Sequence, residues 1–190
     1  MEKTERHRTI DGKQYSFYPS GGLCKDTTWT VEGKVYYCDK EGVATELTNN
    51  TWSKIDGKYY YVKNGSLLTS CVEQIDSSYY GFDESGIMYA NGIFSMVEDG
   101  VWNYYYASEN GSLYVNQWVE VPNMLYGSAW YYFGDGGRAY KSGIYNVNGT
   151  DYYFSHNGKM ATSSVCIQND IYYIAEENGY LTQAPKTGWV

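Results

Sequence analysis

One short phrase returns eight times along the chain: a tyrosine-rich strand, a few polar residues, then glycine. Tyr15, Ser16 and Phe17 lead to Gly22, Tyr36 and Tyr37 to Gly42, Tyr60 and Tyr61 to Gly65, and Tyr79 and Tyr80 to Gly86. Tyr105 and Tyr106 then lead to Gly111, Tyr131 and Tyr132 to Gly137, Tyr152 and Tyr153 to Gly158, and Tyr172 and Tyr173 to Gly179. The closing glycines are 20, 23, 21, 25, 26, 21 and 21 residues apart. A period in this range marks an array of small stacked units. Each unit in such an array contacts only its neighbours, so copy number sets chain length. Long surfaces with recurring pockets suit binding better than a single catalytic centre.

The copy at residues 51–70, TWSKIDGKYYYVKNGSLLTS, gives the grammar of one unit. Asp56-Gly57 separates two extended runs, and such a dipeptide favours a two-residue hairpin loop because both central residues reach positive φ. Residues 58–62 form the return strand, rich in aromatic and β-branched side chains. Asn64-Gly65 makes a second turn, and residues 66–69 lead to the next unit. Asp11-Gly12, Glu32-Gly33 and Asn148-Gly149 repeat the first turn; Asn110-Gly111, Asn157-Gly158 and Asn178-Gly179 repeat the second. Gly and β-branched residues interrupt every helical window. The expected fold is all-β, a solenoid of stacked β-hairpins of about 20 residues winding as a superhelix. Residues 1–8 are expected to be a polar tail and residues 9–190 a single array of about eight hairpins. The final Thr187-Gly188-Trp189-Val190 looks like the opening of another unit, so the array reads as truncated at its C-terminus, cut from a longer protein. Two long connectors, around Ala90-Asn91-Gly92-Ile93-Phe94 and Pro122-Asn123-Met124-Leu125-Tyr126, account for the longest intervals and either form a binding face or are tolerated drift.

Composition narrows the function. The chain of 190 residues has 24 Tyr and 21 Gly and a formal net charge of −8. Tyrosine serves a thin, partly wet core and a ligand surface equally well. The negative charge argues against nucleic acid, whose phosphates need clustered Lys and Arg. No apolar run approaches the length of a membrane span. Residues 1–8 are polar with no apolar stretch behind them, so no signal peptide is visible. The cysteines Cys24, Cys38, Cys71 and Cys166 form no C-x-x-C, which argues against a metal site. Cys24 and Cys38 lie in adjacent units and are either bridged or idle thiols.

The repeats resemble the cell-wall-binding and glucan-binding repeats of Gram-positive surface proteins, shared by choline-binding modules, glucosyltransferases and clostridial toxins. That pattern opens on Gly-Trp or Thr-Trp, then carries a glycine turn, an aromatic triplet, a glycine and a small-residue tail. Here it appears as Thr28-Trp29, Gly33-Lys34-Val35-Tyr36-Tyr37, Gly42 and Ala44-Thr45. It returns as Thr51-Trp52, Gly57-Lys58-Tyr59-Tyr60-Tyr61, Gly65 and Leu68-Thr69. Its nearest copy is Gly149-Thr150-Asp151-Tyr152-Tyr153-Phe154 with Gly158-Lys159-Met160-Ala161-Thr162. The resemblance spans residues 9–190 and implies ligand pockets between consecutive hairpins, walled by the opening Trp, a return-strand aromatic and a residue of the next unit. Two ligand classes suit such walls. A quaternary ammonium such as choline needs a cage of aromatic faces; a sugar ring needs one aromatic platform with nearby polar anchors.

The opening position reads Arg8, Trp29, Trp52, Val72, Phe94, Trp118, Tyr145, Val165 and Trp189, and is mostly aromatic. The residue before each tyrosine pair reads Gln14, Val35, Tyr59, Ser78, Tyr104, Trp130, Asp151 and Ile171, and only Tyr59, Tyr104 and Trp130 are aromatic. A closed cage therefore fails in most units, which favours glycan over choline. Candidate carbohydrate-binding residues are Trp29, Trp52, Tyr59, Tyr104, Trp118, Trp130 and Tyr145, with Lys34, Lys58, Gln117, Asn146, Asp151 and Gln168 as polar partners. The competing role for each Trp is a core wedge. Of each tyrosine pair, one ring is expected to pack inside and one to face out.

No catalytic constellation stands out. His7 falls in the polar tail and His156 in a turn, no Gly-x-Ser-x-Gly is present, and the pairs Asp83-Glu84 and Glu176-Glu177 sit in turns. The expected protein is a non-catalytic carbohydrate- or cell-wall-binding module, secreted or at the cell surface, with no cofactor and no metal. Its partner is a glycan or cell-wall polymer. The alternatives are an adhesin or spacer that contacts another protein, and a choline-binding module.

Overall fold

A computed structural model describes residues 6–122 and 128–184. The chain divides into two compact units, Met1–Tyr89 and Ala90–Val190. The expected all-β architecture of stacked hairpins is borne out, and every main strand pairs antiparallel with its chain neighbour.

The first unit holds four hairpins. They are β1 (His7–Ile10) with β2 (Lys13–Ser16), β3 (Thr27–Val31) with β4 (Lys34–Cys38), β6 (Trp52–Ile55) with β7 (Lys58–Lys63), and β9 (Cys71–Ile75) with β10 (Ser78–Phe82). Short third strands β5 (Ala44–Leu47) and β8 (Ser66–Leu67) add to the second and third hairpins. Because β1 begins at His7, the expected tail boundary at residue 8 falls inside the first hairpin. The second unit holds β11 (Gly92–Glu98) with β12 (Val101–Ala107), and β13 (Gln117–Val121) with β14 (Ala129–Phe133). It continues with β15 (Gly143–Val147) and β16 (Thr150–Phe154), then β17 (Ser164–Gln168), β18 (Ile171–Ala175) and β19 (Leu181–Gln183). The first long interval is absorbed by strands of seven residues rather than by a loop. Residues 123–126 of the second long connector lie outside the described residues.

The turns form as their dipeptides dictate. Asp11, Glu32, Asp56 and Asn148 take φ between 49° and 52°, each followed by a glycine at positive φ. Both central residues therefore adopt the left-handed conformation that a tight hairpin loop requires.

Alternation along each strand gives every hairpin two faces, and the ring contacts show what each face meets. The forward face meets the following hairpin: Tyr37 lies 5.7 Å from Tyr60, Trp52 4.8 Å from Tyr80, Tyr106 6.2 Å from Phe133, and Trp118 4.8 Å from Tyr152. The rear face meets the preceding unit's connector: Trp29 lies 4.9 Å from Tyr18 and Tyr145 stacks at 4.2 Å on Tyr140. Covering both faces overturns one expectation. In the pairs Tyr36–Tyr37 and Tyr131–Tyr132 both rings are buried, because the residue that points away from one neighbour points into the next. From the second hairpin onward the deepest position lies at the rear end of the return strand. Cys38, Val62, Phe82, Ala107, Phe133, Phe154 and Ala175 occupy it, none more than 2 % exposed.

The connectors close the hairpin edges. Met88 N–H donates to the Tyr59 carbonyl, Ala139 to Tyr104, Met160 to Trp130 and Ala184 to Tyr172. Each bond satisfies an edge carbonyl that would otherwise face water or invite another chain.

One charged cluster braces the second unit. The Glu98 Oε2 accepts bonds from Arg138 Nε at 2.7 Å, Asn103 Nδ2 at 2.7 Å and the fully buried Tyr105 hydroxyl at 2.5 Å. Burial pushes the Glu98 carboxyl up, but Arg138, Tyr105 and Asn103 outweigh it, and the net position is below the ordinary value. A depressed carboxyl contributes stability that is present above its unfolded pKa and lost as pH falls through its folded one. Acid titration of unfolding is thus expected to show a loss that begins as pH drops below 4.5. In Glu98→Gln that component is expected to vanish, and identical acid profiles for the two proteins would refute the role.

Candidate functional site

The strand registers sort the candidate residues into two sets. Trp52 pairs with Tyr61 and Trp118 with Tyr132, the second tyrosine of each pair. Trp29, Phe94 and Tyr145 pair instead with Tyr36, Tyr105 and Tyr152, the first tyrosine. A one-residue offset flips a side chain to the other face. The opening position read from sequence is therefore two positions: Trp52 and Trp118 point forward, while Trp29, Phe94 and Tyr145 point back.

The forward set builds a cleft in the second unit. Trp118, Trp130, Tyr152 and Tyr180 wall a cavity of about 300 Å³, with Met160 beside them and Thr162, Glu177 and Asn178 as its polar groups. Trp118 meets the Tyr152 edge at 4.8 Å and stacks on Phe154 at 5.7 Å, so the buried layer beneath holds it upright. Tyr152 meets Tyr180 at 5.7 Å. Trp130 is 42 % and Tyr180 48 % exposed, which leaves aromatic surface open to a ligand. Burial pushes the Tyr152 phenol up, and Tyr180 adds to the shift, so the hydroxyl stays protonated at neutral pH.

The first unit carries a similar aromatic arrangement around Trp52. Its ring lies 6.5 Å from Tyr59, 5.0 Å from Tyr61, 4.8 Å from Tyr80 and 6.0 Å from Phe82. Met88 belongs to the same apolar cluster, as Met160 does at the Trp118 site. Tyr59, Tyr104 and Trp130 share one register position, since the carbonyl of each accepts a connector N–H. At Tyr104, however, the forward position of the opening strand holds Ile93, and Tyr104 packs half-buried against the cluster of Tyr131, Phe133 and Ala139.

The other candidates sit elsewhere. Trp29 packs in the cluster of Cys24, Val31, Tyr36 and Cys38 as a wedge, its Nε1 buried without a hydrogen-bond partner. Tyr145 stacks on Tyr140 and donates its hydroxyl to the Lys141 carbonyl at 3.0 Å. It also lines a shallower groove of about 480 Å³ with Tyr153 and Gln168. Several of the expected polar partners are engaged with the scaffold: Lys34 pairs with Glu46 at 2.9 Å, Asn146 bonds Asp151 at 2.6 Å, and Gln168 accepts the Ile144 N–H at 2.8 Å.

Sequence reasoning named only Trp118 and Trp130 of the cleft and missed Tyr152, Met160, Thr162, Glu177, Asn178 and Tyr180, as well as the place of His7. Tyr180 and Glu177 reach the cleft from the loop that closes at Gly179, two hairpins beyond Trp118. His7, assigned to the tail, takes the place of the forward Trp in the first hairpin. It pairs with Ser16, stacks on Tyr36 at 4.4 Å, and shares a hydrogen bond between its Nδ1 and the Ser16 hydroxyl at 3.0 Å. The distance of each opening aromatic from its turn carries the signal for face. Trp52 stands four residues before Asp56, whereas Trp29 stands three before Glu32.

Among the described residues no group of three or more His, Cys, Asp or Glu is placed to hold a metal. No helix among them is long and apolar enough to cross a membrane.

No family model matches the chain. It is 25% identical over 188 residues to Glucosyltransferase-I of Streptococcus downei, covering 82% of this chain and 11% of that protein. Choline-binding protein F of Streptococcus pneumoniae aligns with a TM-score of 0.55 at 23% identity, over 94% of this chain and 57% of that one. The same protein crystallised in the presence of a tetrasaccharide-pentapeptide peptidoglycan analogue gives a TM-score of 0.55 at 23% identity, over 93% and 57%. The solved structures share the hairpin-repeat fold. The resemblance read from the repeats is borne out, since a glucosyltransferase and a choline-binding protein are the kinds of protein that the repeat phrase resembles. The chain spans about a tenth of the glucosyltransferase and just over half of choline-binding protein F.

Proposed function

We propose that the chain is a non-catalytic binding module for cell-wall polymer or another glycan, acting outside the cell. The observation that carries this reading is the cleft of Trp118, Trp130, Tyr152 and Tyr180, with open aromatic surface and three polar groups at its edge. It has the apolar walls and few placed polar groups of a ligand site. A sugar ring lays its C–H face on Trp130 or Tyr180 and bonds its hydroxyls to Thr162, Glu177 or Asn178. The likeness to choline-binding protein F and to Glucosyltransferase-I supports the same assignment.

The test is electrophoresis through gels containing dextran, starch or purified cell wall. Retardation on at least one is expected, and Trp130→Ala is expected to weaken it about tenfold at this cleft through lost stacking. Free migration on all three by a folded protein would overturn the reading.

A second reading rests on Glu177. A carboxylate beside four aromatic rings also suits a quaternary ammonium, which gains from both charge and ring faces. Millimolar choline is then expected to raise the melting temperature, and Glu177→Gln to reduce the rise. An unchanged melting temperature leaves the glycan reading alone.

A further inference from the structure

The junction between the first and second hairpins is filled differently from two that follow it. At equivalent backbone positions this junction and two later ones place one connector side chain against the deepest residue of the next return strand. The connector position is the one whose N–H donates back to the preceding return strand: Leu68 to Tyr61, Tyr140 to Tyr132, and Cys24 to Ser16. At two later junctions the facing pair is large and apolar. Leu68 packs in the cluster of Phe82, and the Tyr140 ring lies 5.8 Å from Phe154. At the first junction the pair is Cys24 and Cys38, both 0% exposed and in one core cluster.

Both partners of a single contact are thus cysteine, while Cys71 and Cys166 lie in other hairpins. Both thiols are free and buried. We propose that Cys24 and Cys38 are a disulfide-forming pair that staples the first hairpin to the second. Among the described residues the first hairpin has four-residue strands and no third strand of its own, so it gains most from a covalent tie.

The reaction is thiol–disulfide exchange with a small disulfide such as oxidised glutathione. One cysteine thiolate attacks it, forming a mixed disulfide and releasing one thiol. The second cysteine, deprotonated, then displaces the other glutathione thiol and closes the Cys24–Cys38 bond. Two protein thiols are oxidised, one glutathione disulfide is reduced to two thiols, and the two protons pass to those products. Burial holds the Cys38 thiol well above its ordinary range, so the folded junction is unreactive. The bond therefore forms as the hairpins dock or when the first one opens.

The test refolds the full chain in a glutathione redox buffer, quenches with acid and counts thiols under denaturing conditions. Two titratable thiols are expected in place of the four present in reduced protein. A non-reducing peptide map is expected to join the Cys24 and Cys38 peptides. The melting temperature is expected to rise by roughly 5 °C on oxidation, with the rise absent in Cys24→Ser. The Cys71→Ser/Cys166→Ser double variant is expected to keep both the bridge and the shift, which separates the effect from folding damage at the junction. Four free thiols, glutathione left on Cys24 or Cys38, or a map joining either to Cys71 or Cys166 would overturn the proposal. None of these readouts depends on ligand binding, so the result stands apart from the glycan reading.

Discussion

Phe154→Ala is expected to lower the unfolding free energy by about 3–5 kcal/mol, the usual cost of emptying a packed aromatic site. The ring is fully buried and touches Trp118, Tyr140 and Tyr145, so it joins three successive segments of the second unit. Its loss leaves a cavity that its neighbours cannot fill without abandoning their own contacts. The same substitution is expected to weaken ligand binding, because Trp118 stands on Phe154 and its tilt sets the cleft wall. Urea denaturation followed by tryptophan fluorescence measures the first effect, and retardation in polymer gels the second. Phe154→Leu keeps most of the volume and is expected to cost less than half as much. A loss under about 1 kcal/mol for Phe154→Ala, far below the usual cavity cost, or unchanged binding, would show that the layer beneath the cleft is not its support.

The closing glycines yield the second large effect. Gly86 has φ +81°, and a Cβ added there would lie 2.6 Å from Leu67 Cδ2. Gly42 meets Leu23 and Gly179 meets Met160 in the same way, at 2.5 and 2.6 Å. Each of these glycines therefore adopts a left-handed backbone and also receives a side chain of the preceding connector. The hairpin-turn glycines share only the first property: Gly57 has φ +78°, and a Cβ added there would meet nothing within 4 Å. Gly86→Ala is accordingly expected to cost about 2–5 kcal/mol, from backbone strain and overpacking together. Gly57→Ala is expected to cost about 1–2 kcal/mol from strain alone. Equal melting temperatures for the two variants would refute the packing role.

Much of the architecture was legible because turn chemistry is local. Asp56-Gly57 and Asn148-Gly149 fix their loops whatever the neighbours do, and the strands follow on either side. The faces were harder to read. Trp29 and Trp52 occupy similar places in the phrase, yet a one-residue shift against the turn sends one ring backward and the other forward. Burial of both rings in Tyr36–Tyr37 was hidden for another reason: alternation predicts an outward face, and only stacking shows that a second hairpin covers it. Glu177 and Tyr180 come to the cleft from two hairpins away, a distance that no single copy of the phrase encodes.

Among the described residues every pairing between named strands joins chain neighbours, and this has a kinetic meaning. No hairpin must wait for a distant segment to arrive, so loop-closure entropy contributes little to forming each one. Chains with such low contact order fold quickly for their size. Any hairpin can serve as the nucleus, and docking then spreads outward one neighbour at a time. A chain still emerging from the ribosome can thus begin folding with the hairpins already free.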